Sequence, residues 1–284
     1  MKKTLIALAV AASAVSGMAH AWTNGDFNGS VNIGGSITAD DYRQKWSWAV
    51  GSDLNGFSNV LTDLTEGGTK LTITVSGDKP ILLGKTNEAF STPVAGGLGA
   101  IPQIAFSDYE GASVELKNPE GETNKGLAYV VLPMKNAKGT KVGSVKVNAS
   151  YAGVALGSKG TYANLFSVYS NAKGRIFNGG IPYNVAGAEF TSGIAAAERT
   201  ALFGSLSKDE LAAQLQAVEP DAAADVRDYG KSSATDMAVG TNSNTSAAYA
   251  LGIANGQTIE ATFDHPVTAS TQWSAPLNIA VIYN

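Results

Sequence analysis

From Phe27 to Thr38 the chain alternates without a break. Phe27, Gly29, Val31, Ile33, Gly35 and Ile37 fall on one side, and Asn28, Ser30, Asn32, Gly34, Ser36 and Thr38 on the other. Period-two alternation predicts an extended strand with one buried face. Glycines at 25, 29, 34 and 35 weaken that strand as a self-standing element. The stretch Trp22–Thr38 reads as a strand that needs a host, either within its own chain or in a neighbouring subunit. Phe27, Val31, Ile33 and Ile37 would each gain about 1.5–3 kcal/mol on burial.

The next 110 or so residues continue in short strand patterns. Trp46, Trp48 and Val50 alternate with Ser47 and Ala49, and Leu71, Ile73 and Val75 alternate with threonines. Ile81–Leu83, Ile101–Phe106 and Val114–Leu116 read as strands. Leu127–Leu132 is nearly continuous in apolar residues and predicts a central strand buried on both faces. Lys138-Gly139 turns the chain into Val145, Val147, Ala149 and Tyr151, which alternate with Lys146, Asn148 and Ser150. Short strands separated by regular turn signals predict a sandwich or barrel.

Between Gly153 and Asn244 small residues break the strand pattern and two helices are expected. Thr191-Ser192-Gly193 leads into Ile194–Phe203, with Gly204 as the stop. Ser207-Lys208-Asp209-Glu210 is a capping box, flanked by Leu206 and Leu211 as a staple. Leu211, Leu215 and Val218 then share a face, and Pro220 closes the segment. Strands return at Ala247–Ala254, where Asn255-Gly256 predicts a hairpin into Ile259, Ala261 and Phe263. The last pattern is Leu277, Ile279, Val281 and Tyr283. An apolar strand at this position with nothing after it is expected to lack an edge partner, which the N-terminal strand of another copy could supply.

Met1–Ala21 has the form of a secretory signal: Lys2-Lys3, a short apolar run from Thr4 to Val15, and Ala19-His20-Ala21 as the cleavage site. Its removal leaves 18 basic side chains against 24 acidic ones, a charge of −6, which disfavours nucleic acid. The chain has no cysteine, so thiol chemistry and disulfides are excluded and the fold must hold by core burial. His265, the one histidine left, precedes Pro266 and suits extended backbone rather than a catalytic triad. No motif supports catalysis, and no metal or cofactor is expected. An outer-membrane barrel remains a third class, opposed by the helical segment and the scarcity of aromatic girdles.

Five stretches carry a family resemblance: Trp22–Val31, Ile37–Trp46, Asp108–Ser113, Ala247–Phe263 and Gln272–Asn278. Together they resemble the major adhesive subunit of the F-four (K-eighty-eight) fimbriae and its capsule-like surface-antigen relative. The resemblance implies an incomplete immunoglobulin-like β-sandwich, residues 39–284, completed by donor-strand exchange with Trp22–Thr38 of an identical subunit. An inserted subdomain with two short helices is expected at about Gly157–Met237. A periplasmic chaperone, meeting Leu277, Ile279, Val281 and Tyr283, and an outer-membrane usher would deliver the subunit to a fimbrium on the bacterial surface. The resemblance also implies a host glycoconjugate receptor bound at the insertion. Lys173, Arg175, Phe177, Asn178, Tyr183, Asn184 and Glu189 are the candidates there, because sugars are held by aromatic faces and convergent polar groups. Each is equally a solvated loop residue, or for Phe177 a core aromatic. A purely structural, capsule-like subunit without its own receptor site is the competing function.

Overall fold

The computed structural model describes residues 34–36, 40–92, 97, 99–170, 172–182, 187–232, 237 and 243–283. The chain divides into two units, Met1–Thr38 and Ala39–Asn284. Of the first, residues 34–36 are described and are exposed; Phe27, Gly29, Val31, Ile33 and Ile37 lie outside the described residues. The second unit carries the fold, which is mainly β.

The strands before the helices are β1 (Trp46–Val50), β2 (Leu64–Thr65), β3 (Lys70–Thr74), β4 (Lys79–Thr86) and β5 (Pro102–Ser107), then β6 (Ser113–Val114), β7 (Leu127–Asn136), β8 (Lys141–Lys159) and β9 (Tyr162–Val168). Three helices follow, α1 (Gly193–Leu202), α2 (Lys208–Gln216) and α3 (Pro220–Ala223). The chain then returns to β10 (Val226–Ser232), β11 (Thr245–Ile253), β12 (Thr258–Phe263), β13 (Trp273–Ser274) and β14 (Asn278–Tyr283). The large sheet runs β1-β4-β11-β8-β12-β3-β2, with β7 and β9 also on β8, β10 beyond β9 and β13 beside β7. A second sheet of three strands, β14-β5-β6, makes the other layer of the sandwich.

The spine is β8, 19 residues long. Its first half lies between β7 and β12, and its second half between β9 and β11. The first half alternates. From Ala149 to Leu156 every residue is buried, because the second half is covered on both faces. Tyr151 and Ala155 face the main core, whereas Ala152, Val154 and Leu156 pack under α1 and α2 against Ala196, Ala197, Leu211 and Leu215. A strand covered on both faces has no reason to alternate. The small residues beyond Gly153 therefore continue a strand rather than break one, and β9 and β10 extend the sheet further.

Other expectations are corrected by the same layering. β7 is buried on one face only: Val130, Leu132 and Met134 point inward, but Val131 is 50% exposed. The helices cover the second half of β8 and do not reach β7. Asn255-Gly256 does turn the chain, with Gly256 at φ +85°, yet it joins no hairpin. β11 and β12 do not pair with each other; both run antiparallel to β8, so the turn loops out of one continuing direction.

The helix signals operate as local chemistry predicts. Ser192 Oγ accepts from Ala195 N at 3.2 Å to cap α1. In α2, Ser207 Oγ accepts from Glu210 N at 3.3 Å, and Glu210 Oε2 accepts from Ser207 N at 2.7 Å, a reciprocal capping box. Leu206 and Leu211 are both buried, as a staple requires. Val218 is instead 46% exposed, because α2 stops at Gln216. Pro220 opens α3 at its first turn, where its missing N–H costs nothing, rather than closing α2.

Replacing Ser207 by Ala removes the α2 cap and is expected to lower unfolding stability by about 1 kcal/mol. Urea denaturation followed by far-UV circular dichroism measures this as a lower midpoint with an unchanged slope.

Candidate functional site

The two layers of the sandwich meet unequally. In β5 the inward side chains Ile104 and Phe106 are buried. Their partners across the ladder, Val281 and Ile279 on β14, are only half-buried. Ile282, on the outer face, is 55% exposed. The reason is pairing: β14 bonds to β5 on one side, and no described strand lies on the other. No described strand bonds its outer N–H and C=O groups.

Beside β14 the layers part to leave a groove of about 850 Å³. Val130 and Leu132 of β7, Val145 and Val147 of β8, and Ile259 of β12 form its floor. Leu277 and Ile279 line it from the β14 side, and Leu54, Phe57 and Trp273 lie along its rim. The floor is aliphatic and uncharged and fits apolar side chains, while Asn55, Ser58, Thr271, Gln272 and Ser274 add polar groups to the lining.

At the Tyr283 end the layers are closed. Trp48 Nε1 donates to Tyr283 Oη at 2.9 Å, joining β1 of the large sheet to β14. Gly84, opposite Trp48 on β4, leaves room for the indole; a Cβ there would overlap it. Trp46, Phe177 and Tyr249 pack around Trp48 with ring centroids 6.3 Å from its own. Phe90 meets Trp46 edge-on at 6.2 Å, and Tyr42 stacks on Phe90 at 5.6 Å. Burial pushes the Tyr249 and Tyr283 hydroxyls upward in pKa. Tyr249 Oη is satisfied by donating to Gly180 O at 2.6 Å.

Phe177 belongs to this closed end. It is fully buried, so it presents no face to a ligand, and the core reading of this residue is the one the structure bears out. Its loop is tied to β5 through Phe177 N to Pro102 O at 2.9 Å and Ile104 N to Asn178 O at 2.8 Å. Glu189 is also buried, where its carboxylate accepts from Lys231 Nζ at 2.9 Å; a solvent-side role does not match that position. Lys173 is exposed, and Arg175 and Asn178 are partly so. Asn178 Nδ2 donates to Ser170 Oγ at 2.9 Å. Tyr183 and Asn184 lie outside the described residues.

Sequence reading had placed Leu277, Ile279, Val281 and Tyr283 at an open edge. It did not identify Trp48, Leu54, Phe57 or the floor residues as parts of one site. Trp48 was visible as an alternating strand residue, and only its hydrogen bond across the layers reveals its second role. Leu54 and Phe57 sit in a loop without periodicity, so no local signal marks them.

The family model for fimbrial major and minor subunits matches residues 1–284. Among curated relatives, the K88 fimbrial protein AB of Escherichia coli is 67% identical over 286 residues, covering 100% of both chains. The K88 fimbrial protein AD of Escherichia coli is 66% identical over the same extent. The more distant F41 fimbrial protein of Escherichia coli is 31% identical over 294 residues, again at 100% of both chains.

The helical layer holds a testable charge. Asp228 on β10 accepts from Ser192 Oγ at 2.5 Å, from Gly193 N at 2.8 Å and from Gly230 N at 3.0 Å. Burial alone would raise its pKa, but these hydrogen bonds outweigh burial and hold it below the usual carboxylate range. A lowered folded-state pKa stabilises above the unfolded value and is lost as pH falls through the folded one. Asp228→Asn is expected to cost about 1 kcal/mol at pH 7. The difference from the parent should shrink below about pH 4, as read from thermal melts across pH.

Proposed function

This chain belongs to the family of K88 fimbrial major and minor subunits, and on that footing we propose that its groove takes the Trp22–Thr38 stretch of a second copy as a missing strand. The family is one of fimbrial proteins, not enzymes, whose identical subunits polymerise into surface fibres. The observation that carries the proposal is β14: one neighbour, a half-buried inward face, and an aliphatic groove beside it. An added strand would satisfy its open backbone groups, and alternate side chains would fill the groove. Phe27, Val31, Ile33 and Ile37 have the required period and chemistry.

Before assembly the same edge is an aggregation hazard. A periplasmic chaperone covering Leu277, Ile279, Val281 and Tyr283 would protect it, after export behind the cleaved leader Met1–Ala21 and ahead of an outer-membrane usher. Adhesion to host carbohydrate is assigned to the loop around Lys173, Arg175 and Asn178, of which Lys173 is exposed and the other two partly so. Arg175 could hold a sialic carboxylate in bidentate fashion.

Ile33→Asp places a carboxylate against the groove floor. Fibre yield, scored by electron microscopy and by ladders on unheated denaturing gels, should fall at least ten-fold; normal fibres would refute the acceptor reading. In a second test, Lys173→Ala with Arg175→Ala should reduce haemagglutination at least four-fold on fibres that assemble normally. An unchanged titre would leave the purely structural, capsule-like role.

A further inference from the structure

The groove is closed at its Tyr283 end, and a strand entering it needs a register. Period-two alternation excludes a slip of one residue, which would turn the apolar set to solvent. It does not exclude a slip of two. Such a slip exchanges Val31 for Ile33 at the same pocket and keeps the face inward. The hydrophobic pattern of Trp22–Thr38 therefore leaves a choice that the acceptor must make.

We propose that the Trp48–Tyr283 pair is the register stop of the groove, the point past which an inserted strand cannot carry a side chain. This inference rests on reading the groove as the acceptor of Trp22–Thr38 from a second copy. Leu277 and Ile279 line the groove, while Val281 and Tyr283 do not. Space between the layers thus ends within the length of β14. At that end the indole of Trp48 lies over Gly84 and is bonded to the Tyr283 hydroxyl at 2.9 Å. No atom can pass between two groups in direct hydrogen bond. Behind them stand the rings of Trp46, Phe177 and Tyr249, so the indole cannot withdraw without disturbing the core. A slip of two residues toward Tyr283 drives an apolar side chain into this cluster. The opposite slip withdraws cover from the half-buried lining residues Val147 and Ile279. One register satisfies both conditions.

The absence of native cysteine makes the register directly readable. Ala280 is on the exposed face of β14, so Ala280→Cys leaves the groove untouched. Full-length subunits carrying it are combined with one donor substitution on the polar side: Ser30→Cys, Asn32→Cys, Gly34→Cys or Ser36→Cys. Paired strands bring facing Cβ atoms within disulfide reach at one position only. Purified fibres are oxidised and resolved on non-reducing gels, in the parent, in Trp48→Phe and in Tyr283→Phe. In the parent one donor position should dominate the ladder. In Trp48→Phe, which removes the N–H and shrinks the ring, the position two residues away should rise at least five-fold. Tyr283→Phe removes the bond alone and should act in the same direction. Trp48→Phe also separates the stop from any chaperone contact at Tyr283, since Trp48 lies on another strand. An unchanged single partner in every variant that assembles overturns the stop. Failure of both variants to assemble also overturns it, because a stop sets position and not the capacity to polymerise. Absence of a ladder from every pairing in the parent overturns the acceptor reading itself, and the stop with it.

Discussion

The structure turns on the edge of β14, which bonds to β5 on one side and to no described strand on the other. Backbone N–H and C=O groups in a sheet must find partners or water, and apolar faces must find cover. β14 finds its backbone partners in β5, no described strand bonds its other side, and its inward side chains are half-buried. The consequence is local: Ile104 and Phe106 are buried while Val281 and Ile279, their cross-strand partners, are half-buried.

The remaining parts of the sandwich are braced against one another. β8 spans both halves of the large sheet, so one continuous strand ties the groove floor at Val145 and Val147 to the layer beneath α1 and α2. The aromatic cluster closes the end near Tyr283 with rings too rigid to relax into the gap.

The loop around Phe177 links the two themes. Phe177 itself is structural, at positive φ of 62° and fully buried among Trp46, Trp48 and Tyr249. By anchoring there it holds exposed Lys173 and partly exposed Arg175 beside β5. A short loop carrying a core anchor is a common way to present polar groups on a rigid base.

Much was legible in the sequence because it is local. Alternation marked most strands, the Ser207 and Glu210 side chains announced α2, and the apolar pattern of residues 277–283 pointed to an edge in need of cover. Those signals are written in neighbouring residues, and short-range sterics and hydrogen bonds suffice to act on them. Tertiary structure alone decided the rest. Whether Leu127–Leu132 is covered once or twice depends on where the helices lie, and Asn255-Gly256 fails as a hairpin because β8 holds both flanking strands. Glu189 and Phe177 went inward because of Lys231 and an aromatic cluster assembled from distant segments. Trp48 and Tyr283 are 235 residues apart; no periodicity connects them, and only the packing of two layers makes them one feature.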